Sequence, residues 1–376
     1  MGWFEVFCLA AIMLYLVFLL RNIFTLFPRK KNTAQKKDYA PQLNITLIIP
    51  ARNEEENIIK CLAGIAQQDF PKELLEVIVV NDHSTDKTAD LSIAFLKENF
   101  PHYKFLHLNE NEQGKKTAIS ITIEQSFSSV IITRDADTFT IGNQWLKEIV
   151  FEFENTDCDL LISPVLLTGN NSFLSAFQKF ENLAVTFLGL SMAKNKLPVA
   201  CSGANLAYKK DIFTELDPYK NNVHIHSGDD MFLLKAAFSK KHTIQENTSA
   251  GSIVYSPTEK NAPKALFQRL RWASKTGKIV NSPVFATGLI LLFGNIAGLI
   301  ALVWPFFDGF YLPFCLFTLT IKFIIDFLLL FLSARMFSQK VSFIWFLPAF
   351  VINLIYTPVI ALVSLFVKPN WKGRSA

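Results

Sequence analysis

The sequence predicts a mixed α/β domain with a mostly parallel sheet, helices on both of its faces, and transmembrane helices at both ends of the chain. Strand-like and helix-like patterns alternate through the middle of the 376-residue chain, as they do in doubly wound sheets. The strand-like runs are almost continuously apolar, which a sheet buried on both faces requires. Long apolar segments at the two ends raise the hydrophobic content to 51%, with 36 Phe, which is high for a soluble protein.

The first 27 residues are predicted to be an N-terminal transmembrane anchor. The run 3–20 is apolar apart from one glutamate, and it comes close to the roughly 20 residues that cross a bilayer. A basic linker, residues 28–43, follows it, and its Lys36 and Lys37 are expected on the cytoplasmic side. A cleaved signal peptide would carry its positive charge before the apolar run, so an anchor is favoured.

Residues 282–376 are predicted to form a C-terminal membrane domain. Its three apolar runs are 284–304, 310–334 and 343–367. The first two predict a pair of spans, with Arg335 on the cytoplasmic side. Pro348 and Pro358 interrupt the third run and Lys368 follows it, so this run is either a third span or a re-entrant segment.

The middle of the chain, residues 44–281, is predicted to be a cytoplasmic α/β domain. Its predicted strands are 45–49, 77–81, 104–108, 130–133 and 160–163. Its predicted helices are 54–68, 86–97, 116–126 and 144–154. The net charge of +5 suits a membrane surface or an anionic substrate and is too small to indicate nucleic acid. Five scattered cysteines without a CxxC pair argue against a disulfide framework or a zinc site and fit a reducing compartment.

Polar residues follow three of the predicted strands, where ligands bind in sheets of this kind. These segments are 50–54, 81–86 and 134–137. The lack of a GxGxxG string after the first strand argues against a dinucleotide-binding dehydrogenase.

Asp135 and Asp137 are the central pair of this predicted site. Two carboxylates one residue apart can both reach a hard cation, with substrate oxygens completing its coordination. Mg2+ or Mn2+ bound to a diphosphate fits such a pair. The alternative is a polar turn with helix-capping aspartates, since a DxD string alone is weakly specific.

Seven strings in order carry a family resemblance that covers essentially the whole middle region. They are IPARNEEENI, VVNDHSTDKT, QGKKTAI, RDAD, CSGANLAYKK, SGDDMFLL and QRLRW. Together they resemble family 2 glycosyltransferases of the GT-A fold. The positions of the apolar segments are similar to those of the ceramide glucosyltransferase-like and polysaccharide-synthase branches.

The resemblance implies a role for each matching residue. The implied donor-binding residues are Pro50, Ala51, Glu54, Asp82, Lys115, Asp135 and Asp137. Asp137 would hold the Mg2+ or Mn2+, Asp135 would contact the donor ribose or this metal, and Asp82 would contact the uracil base. The implied acceptor-binding residues are Gly203, Ala204, Asn205 and Trp272. The implied catalytic group is Asp230 as base, with Asp229, Gln268, Arg271 and Trp272.

Four features of the sequence leave alternatives open. Asp229 stands where the family more commonly has Glu, so either aspartate of the pair could be the base. The QRLRW string could instead be an interfacial anchor, with Arg269 toward headgroups. His224 and His226 are either structural or close to the substrate or metal. A stripe of aromatic residues on one helical face forms either core or a membrane-surface helix lining the acceptor entrance: Phe173, Phe177, Phe180 and Phe187.

The implied function is inverting transfer of a sugar, with a UDP-sugar expected as donor, to a membrane-associated acceptor such as a lipid. A processive polysaccharide synthase is the alternative, and a catalytically inactive membrane scaffold is a third reading. The expected location is an integral membrane position, in a bacterial inner (plasma) membrane, with the catalytic domain in the cytoplasm. The sequence leaves the sugar, the acceptor and the oligomeric state open.

Overall fold

The computed structural model describes residues 2–27, 39–222, 228–276, 282–366, 370–371 and 374–375. The helices are α1 (Trp3–Leu26), α2 (Ile58–Ala66), α3 (Thr88–Asn99), α4 (Lys115–Gln125), α5 (Trp145–Asn155), α6 (Phe173–Lys194), α7 (Lys210–Leu216), α8 (Asp229–Ser239), α9 (Ala262–Thr276), α10 (Ser282–Val303), α11 (Leu312–Met336) and α12 (Phe346–Val363). The strands are β1 (Ile45–Ala51), β2 (Leu75–Asn81), β3 (His102–His107), β4 (Val130–Thr133), β5 (Phe139–Thr140), β6 (Leu160–Ile162), β7 (Val165–Thr168), β8 (Leu206–Lys209), β9 (Ile244–Glu246), β10 (Val254–Pro257), β11 (Asn370–Trp371) and β12 (Arg374–Ser375).

The described chain divides into two compact units. One contains residues 30–168 and 200–257, and we call it the sheet unit. The other contains residues 1–29, 169–199 and 258–375, and we call it the helical unit. The predicted domain boundaries group α6 and α9 with the sheet, whereas the structure packs both helices among the helical unit's other elements.

The sheet unit is built on a seven-stranded sheet of order β3-β2-β1-β4-β8-β6-β9. Strands β1 to β4 are mutually parallel where they pair, and β8 runs antiparallel to both of its neighbours. Strands β5, β10 and β7 form a second, three-stranded sheet. The predicted mixed, mostly parallel α/β architecture is confirmed, and antiparallel β8 accounts for the mixed character.

The apolar strands form this unit's core because both faces of the sheet are covered. Leu47, Val79 and Ile132 are fully buried on three neighbouring strands. Leu62 of α2 and Ile149 of α5 belong to the same buried cluster. Helix α2 begins four residues later than predicted, because the segment after β1 makes turns before the helix starts.

Four helical segments of the helical unit are long and apolar enough to cross a membrane, judged by length and composition. They are Trp3–Leu26, Pro283–Phe306, Gly309–Met336 and Phe343–Val363. The third apolar run therefore has the length of a span, and Pro358 lies inside its helix. Of the residues on which the topology prediction rests, Lys36, Lys37 and Lys368 lie outside the described residues.

The aromatic stripe of α6 packs within the helical unit. Phe177 lies edge-on to Tyr356 of α12, with ring centroids 5.1 Å apart. Phe180 contacts Phe346 at 6.1 Å in the same geometry, and both phenylalanines are buried. Phe173 contacts Trp345 at 5.8 Å. The stripe is therefore part of a packed core, which explains why α6 belongs with these helices.

A buried polar cluster joins α1 to α11 among the apolar helices. The Lys322 ammonium lies 2.6 Å from Asp326 Oδ2, one turn along α11, and its side chain is fully buried. The Tyr15 hydroxyl of α1 donates to Asp326 Oδ1 at 2.6 Å. Ionisable groups between membrane helices are costly unless they are paired, and each member of this cluster is.

Candidate active site

The carboxyl ends of β1, β2 and β4 bring three polar segments to one edge of the sheet. The Asp82 amide, just after β2, donates to Ala51 O of β1 at 2.9 Å. The Arg134 amide, just after β4, donates to Ile48 O at 3.0 Å. The segments that follow these strands therefore leave the sheet side by side, where ligands bind in parallel sheets.

Asp82 is buried and held by backbone and side-chain donors. Gly114 N donates to Asp82 Oδ2 at 3.1 Å, and Arg52 Nη1 donates to the Asp82 carbonyl at 3.0 Å. Gly114 has φ of 89°, a conformation that favours glycine, and it caps the start of α4. These contacts fix the Asp82 carboxylate beside the N-terminus of α4.

The predicted donor-binding residues of the first strand lie at the end of β1 and in the turn after it. Pro50 and Ala51 are the last two residues of β1. Glu54 N donates to Thr88 Oγ1 at 2.7 Å, which ties the turn to the start of α3. The Glu54 carboxylate accepts from Asn57 Nδ2 at 2.8 Å. These two hydrogen bonds hold the turn in place.

Lys115 links the two acidic motifs of the sheet unit. Its ammonium lies 2.6 Å from Asp135 Oδ1 and 3.0 Å from Asp229 Oδ2. Burial alone would lower the pKa of Lys115, but Asp135, Asp229 and Asp230 raise it above its ordinary value. Lys115 therefore stays charged, and its ammonium brings together Asp135 and Asp229, which are distant in the sequence.

Gly203 lies next to the Lys115 ammonium and to the Asp229–Asp230 pair. Its amide donates to Asp230 Oδ2 at 3.1 Å, and Met231 N donates to Asp230 Oδ1 at 2.8 Å. A Cβ placed on Gly203 would lie 2.6 Å from Asp229 Oδ2 and 2.8 Å from Lys115 Nζ. Real Cβ atoms do not approach that closely, so a larger residue at position 203 would force the Asp229 and Lys115 side chains to shift.

Ala204 and Asn205, which follow Gly203, make different contacts. Ala204 N donates to the Ser202 hydroxyl at 3.4 Å. The Asn205 amide group donates at 2.8 Å to the Pro164 and Ser252 carbonyls, and its oxygen accepts from Trp145 Nε1 at 2.9 Å. The Asn205 side chain is buried and anchors the segment; its predicted acceptor contact stays a prediction.

The turn that contains Asp135 and Asp137 offers carboxylate oxygens. Thr138 Oγ1 and Thr138 N both donate to Asp135 O, at 2.7 and 3.1 Å, which sets the turn. Asp135 keeps 40% of its side chain exposed. In the described part of the chain, no three His, Cys, Asp or Glu residues are grouped as a metal site. The hard oxygen donors of this pair fit Mg2+ or Mn2+ when a ligand supplies further oxygens.

Residues 46–217, which contain all of β1 except Ile45 and the whole of β2 to β8, match the family model described as "Glycosyl transferase family 2". Over this segment the chain is similar to family 2 glycosyltransferases. The segment covers somewhat less than half of the chain.

Comparison with known proteins agrees with this assignment. The chain is 29% identical over 200 residues to "Glycosyltransferase AglE" of Haloferax volcanii, covering 53% of this chain and 63% of that protein. It is 26% identical over 257 residues to "N-acetylglucosaminyltransferase" of Rhizobium meliloti, covering 65% and 58%. The chain thus spans about three fifths of the length of these two curated relatives. The comparisons support the predicted glycosyltransferase class.

A solved structure confirms the GT-A fold. It is the mannosyltransferase PcManGT from Pyrobaculum calidifontis, in complex with GDP-Man and Mn2+. The TM-score is 0.60 at 17% identity, and the match covers 96% of this chain and 99% of that chain. At this identity the likeness concerns the fold.

The last predicted motif lies on α9, in the helical unit, outside the residues 46–217 that match the family model. Gln268 Nε2 donates to Glu259 Oε1 at 3.3 Å. Arg269 Nε lies 3.2 Å from Glu181 Oε1 of α6, so Arg269 has a protein partner in its own unit. Trp272 is 37% exposed. The roles of Gln268, Arg271 and Trp272 stay predictions, while His224 and His226 lie outside the described residues.

Two charged residues that contact the motifs were missed by sequence reasoning. Arg134 is fully buried beneath the Asp135 turn. Glu181 pairs with Arg269, and burial raises the pKa of its carboxyl even though Arg269 opposes this shift. An arginine directly before DxD was a visible signal, because charged residues are rare at the end of a buried strand. No sequence pattern distinguishes Glu181 from a solvated glutamate on α6.

Proposed function

We propose that this chain is a membrane-bound glycosyltransferase that moves a sugar from a nucleotide-sugar donor to a membrane-associated acceptor. The observation that carries the proposal is Lys115 joining Asp135, in the predicted donor motif, to Asp229, in the predicted base motif. The two ion pairs are 2.6 and 3.0 Å long, so one aspartate of each predicted motif lies next to the same ammonium group. This proximity supports a single site for donor and acceptor.

On the donor side, buried Asp82 is suited to accept a hydrogen bond from an N–H group of the nucleotide base. Pro50, Ala51 and Glu54 surround the same strand ends, and Asp135 and Asp137 would hold a divalent cation. When bound, the cation neutralises charge on the departing diphosphate. The Lys115 ammonium adds a fixed positive charge beside the same oxygens.

On the acceptor side, Asp230 is the proposed general base. Its carboxylate is oriented by the Gly203 and Met231 amides, whereas the Asp229 carboxylate is held by Lys115. The acceptor hydroxyl gives its proton to Asp230 while its oxygen attacks the anomeric carbon. The bond from that carbon to the diphosphate breaks, and the nucleoside diphosphate leaves. One direct displacement of this kind inverts the anomeric configuration.

The acceptor is proposed to be a lipid or a lipid-linked glycan in the bilayer. The support is the four segments long and apolar enough to span a membrane, which belong to the same chain as the family 2 domain. A processive polysaccharide synthase is the alternative, and the length of the product distinguishes the two. We propose a bacterial inner membrane location with the family 2 domain in the cytoplasm.

The test is transfer by the purified full chain in detergent. It would receive radiolabelled UDP-sugars and GDP-sugars one at a time, with Mn2+ and a membrane lipid extract. We expect a labelled lipid that carries one sugar from one donor, and a rate lower by roughly 10²–10⁴-fold for Asp230→Asn. Asp211→Asn, an exposed aspartate in the first turn of α7, is the matched control and should behave as wild type. Labelled polymer would favour the alternative, and no transfer from any donor would contradict the proposal.

A further inference from the structure

Two consecutive lysines begin α4, and both contact the start of α8. Lys115 is the residue whose ammonium pairs with Asp229 at 3.0 Å. Lys116 is only 3% exposed, and its ammonium lies over the Phe232 ring, 4.0 Å from the centroid. Phe232 belongs to the first turn of α8, where its amide donates to Gly228 O at 2.9 Å. The two lysines therefore fix the first turn of α8 against the first turn of α4.

The Lys116 ammonium also holds the chain segment that precedes α8. It donates to Asn222 O at 2.8 Å and to Asn222 Oδ1 at 2.7 Å. The Asn222 side chain donates in turn to Pro218 O at 2.9 Å, which closes the end of this segment into a turn. Asn222 and Phe232 lie on either side of Asp230 in the sequence. One buried group thus anchors the chain both before and after the proposed base.

The contacts with Asn222 explain why a charged residue occupies this buried position. Burying an ammonium group costs free energy that hydrogen bonds have to offset. An apolar side chain of similar length, such as methionine, would pack against the Phe232 ring without that cost. It would have no donor for the two Asn222 oxygens. The presence of lysine at position 116 therefore indicates that holding Asn222 outweighs the cost of burying the charge.

We propose that Lys116 is a positioning residue that holds the first turn of α8, and with it the Asp230 carboxylate, in the geometry needed to take the acceptor's proton. This inference rests on the proposed function, which assigns Asp230 as the base. Lys116 acts through α8, so its loss should lower the rate of transfer. Donor affinity should be nearly unchanged, because the contact of α4 with buried Asp82 comes from the Gly114 amide.

The test compares Lys116→Met with wild type, both as the full chain in detergent. Transfer is measured with the radiolabelled donor, Mn2+ and membrane lipid extract, and UDP binding is measured by calorimetry with Mn2+ present. A misplacement of about 1 Å near the reacting groups can cost roughly 10²-fold in rate, so we expect kcat to fall by roughly 10- to 100-fold. The dissociation constant of UDP should change by less than about twofold, since no donor contact is removed.

The matched control is Lys210→Met. It removes an ammonium that donates to Ser126 O at 2.7 Å, just beyond the other end of α4. This variant loses a comparable hydrogen bond to a backbone carbonyl and should keep the wild-type rate.

A double-mutant cycle tests whether the effect of Lys116 passes through Asp230. In Asp230→Asn the base is already absent, so adding Lys116→Met should lower the remaining rate by less than about twofold. A general loosening of the fold would instead lower the rate by the same factor in both backgrounds. Thermal unfolding of all four proteins establishes that each is folded.

The outcomes separate the two proposals. If Asp230→Asn transfers sugar at the wild-type rate, the base assignment of the proposed function fails. If Asp230→Asn is impaired but folded Lys116→Met transfers as wild type does, the inference about Lys116 fails. It also fails if Lys116→Met acts by the same factor in both backgrounds, or weakens UDP binding as much as it lowers kcat. If Lys116→Met does not fold, the same cycle with Asn222→Ala, which removes the accepting Oδ1, decides in its place.

Discussion

Replacing Gly203 with Ala should disable the site while leaving the protein folded. The added Cβ would meet Asp229 Oδ2 at 2.6 Å and Lys115 Nζ at 2.8 Å. Ordinary contact begins at 3.4 Å, so Asp229 Oδ2 must move away by about 0.8 Å and Lys115 Nζ by about 0.6 Å. Both are the ends of side chains, and Gly203 is not among the described residues with positive φ, so the backbone can accept the change.

The catalytic effect should greatly exceed the effect on folding. A misplacement of about 1 Å near the reacting groups can cost roughly 10²-fold in rate, so we expect a loss of that order in kcat/KM. The free energy of unfolding should fall by only about 1 kcal/mol, as for an ordinary substitution. Transfer assays and thermal unfolding, run on the same preparation, measure both quantities.

The matched control is Gly288→Ala, where a Cβ meets nothing within 4 Å. It should match wild type in both measurements. Near-normal turnover of Gly203→Ala would show that the Lys115–Asp229 pair can move without consequence. That result would contradict the assignment of this point as the reaction centre.

Four further results are expected. Asp137→Ala should lower transfer by roughly 10³-fold with the fold intact, and excess chelator should do the same to wild type; full turnover in chelator would refute the metal assignment. Asp230→Asn should remove roughly 10²–10⁴-fold of the rate with donor affinity nearly unchanged, and Asp229→Asn should be milder. Asp326→Ala should destabilise the helical unit by about 3–5 kcal/mol by leaving Lys322 unpaired, and the double change Lys322→Met, Asp326→Leu should recover most of the loss. Cysteines introduced at positions 36 and 335 should resist an impermeant label applied from the outer face, and labelling there would overturn the proposed topology.

The strands and helices of the sheet unit were predictable because their signals are local. Strand β4 begins and ends where the apolar run 130–133 predicts, and α4 and α5 lie within one residue of their predicted bounds. The start of α2 was not predictable, since Glu54 and its neighbours are good helix formers. Tertiary hydrogen bonds to Thr88 and Asp86 hold them in turns instead. Here the partners of the backbone outweigh helix propensity.

The sequence alone did not predict that α6 and α9 belong to the helical unit, because this depends on packing against residues far away in the chain. The spacing of Phe177 and Phe180 shows an apolar face but not what covers it. Tyr356 and Phe346 cover it, and they lie more than 160 residues further along the chain. Asn205 illustrates the same limit at the site, because its three hydrogen bonds go to residues brought together only by the fold.

The relation between Asp229 and Asp230 shows what the structure adds to a motif. In the sequence the two residues are equivalent acids at a helix start, and the departure from the commoner Glu-Asp pair leaves their roles open. In the fold Asp229 is buried, and its carboxylate is held by an ion pair with the Lys115 ammonium at 3.0 Å. Asp230 is more exposed, and both of its oxygens are oriented by backbone amides. An acid that must accept a proton during the reaction needs access and orientation more than a fixed counter-charge, and of the two only Asp230 has both.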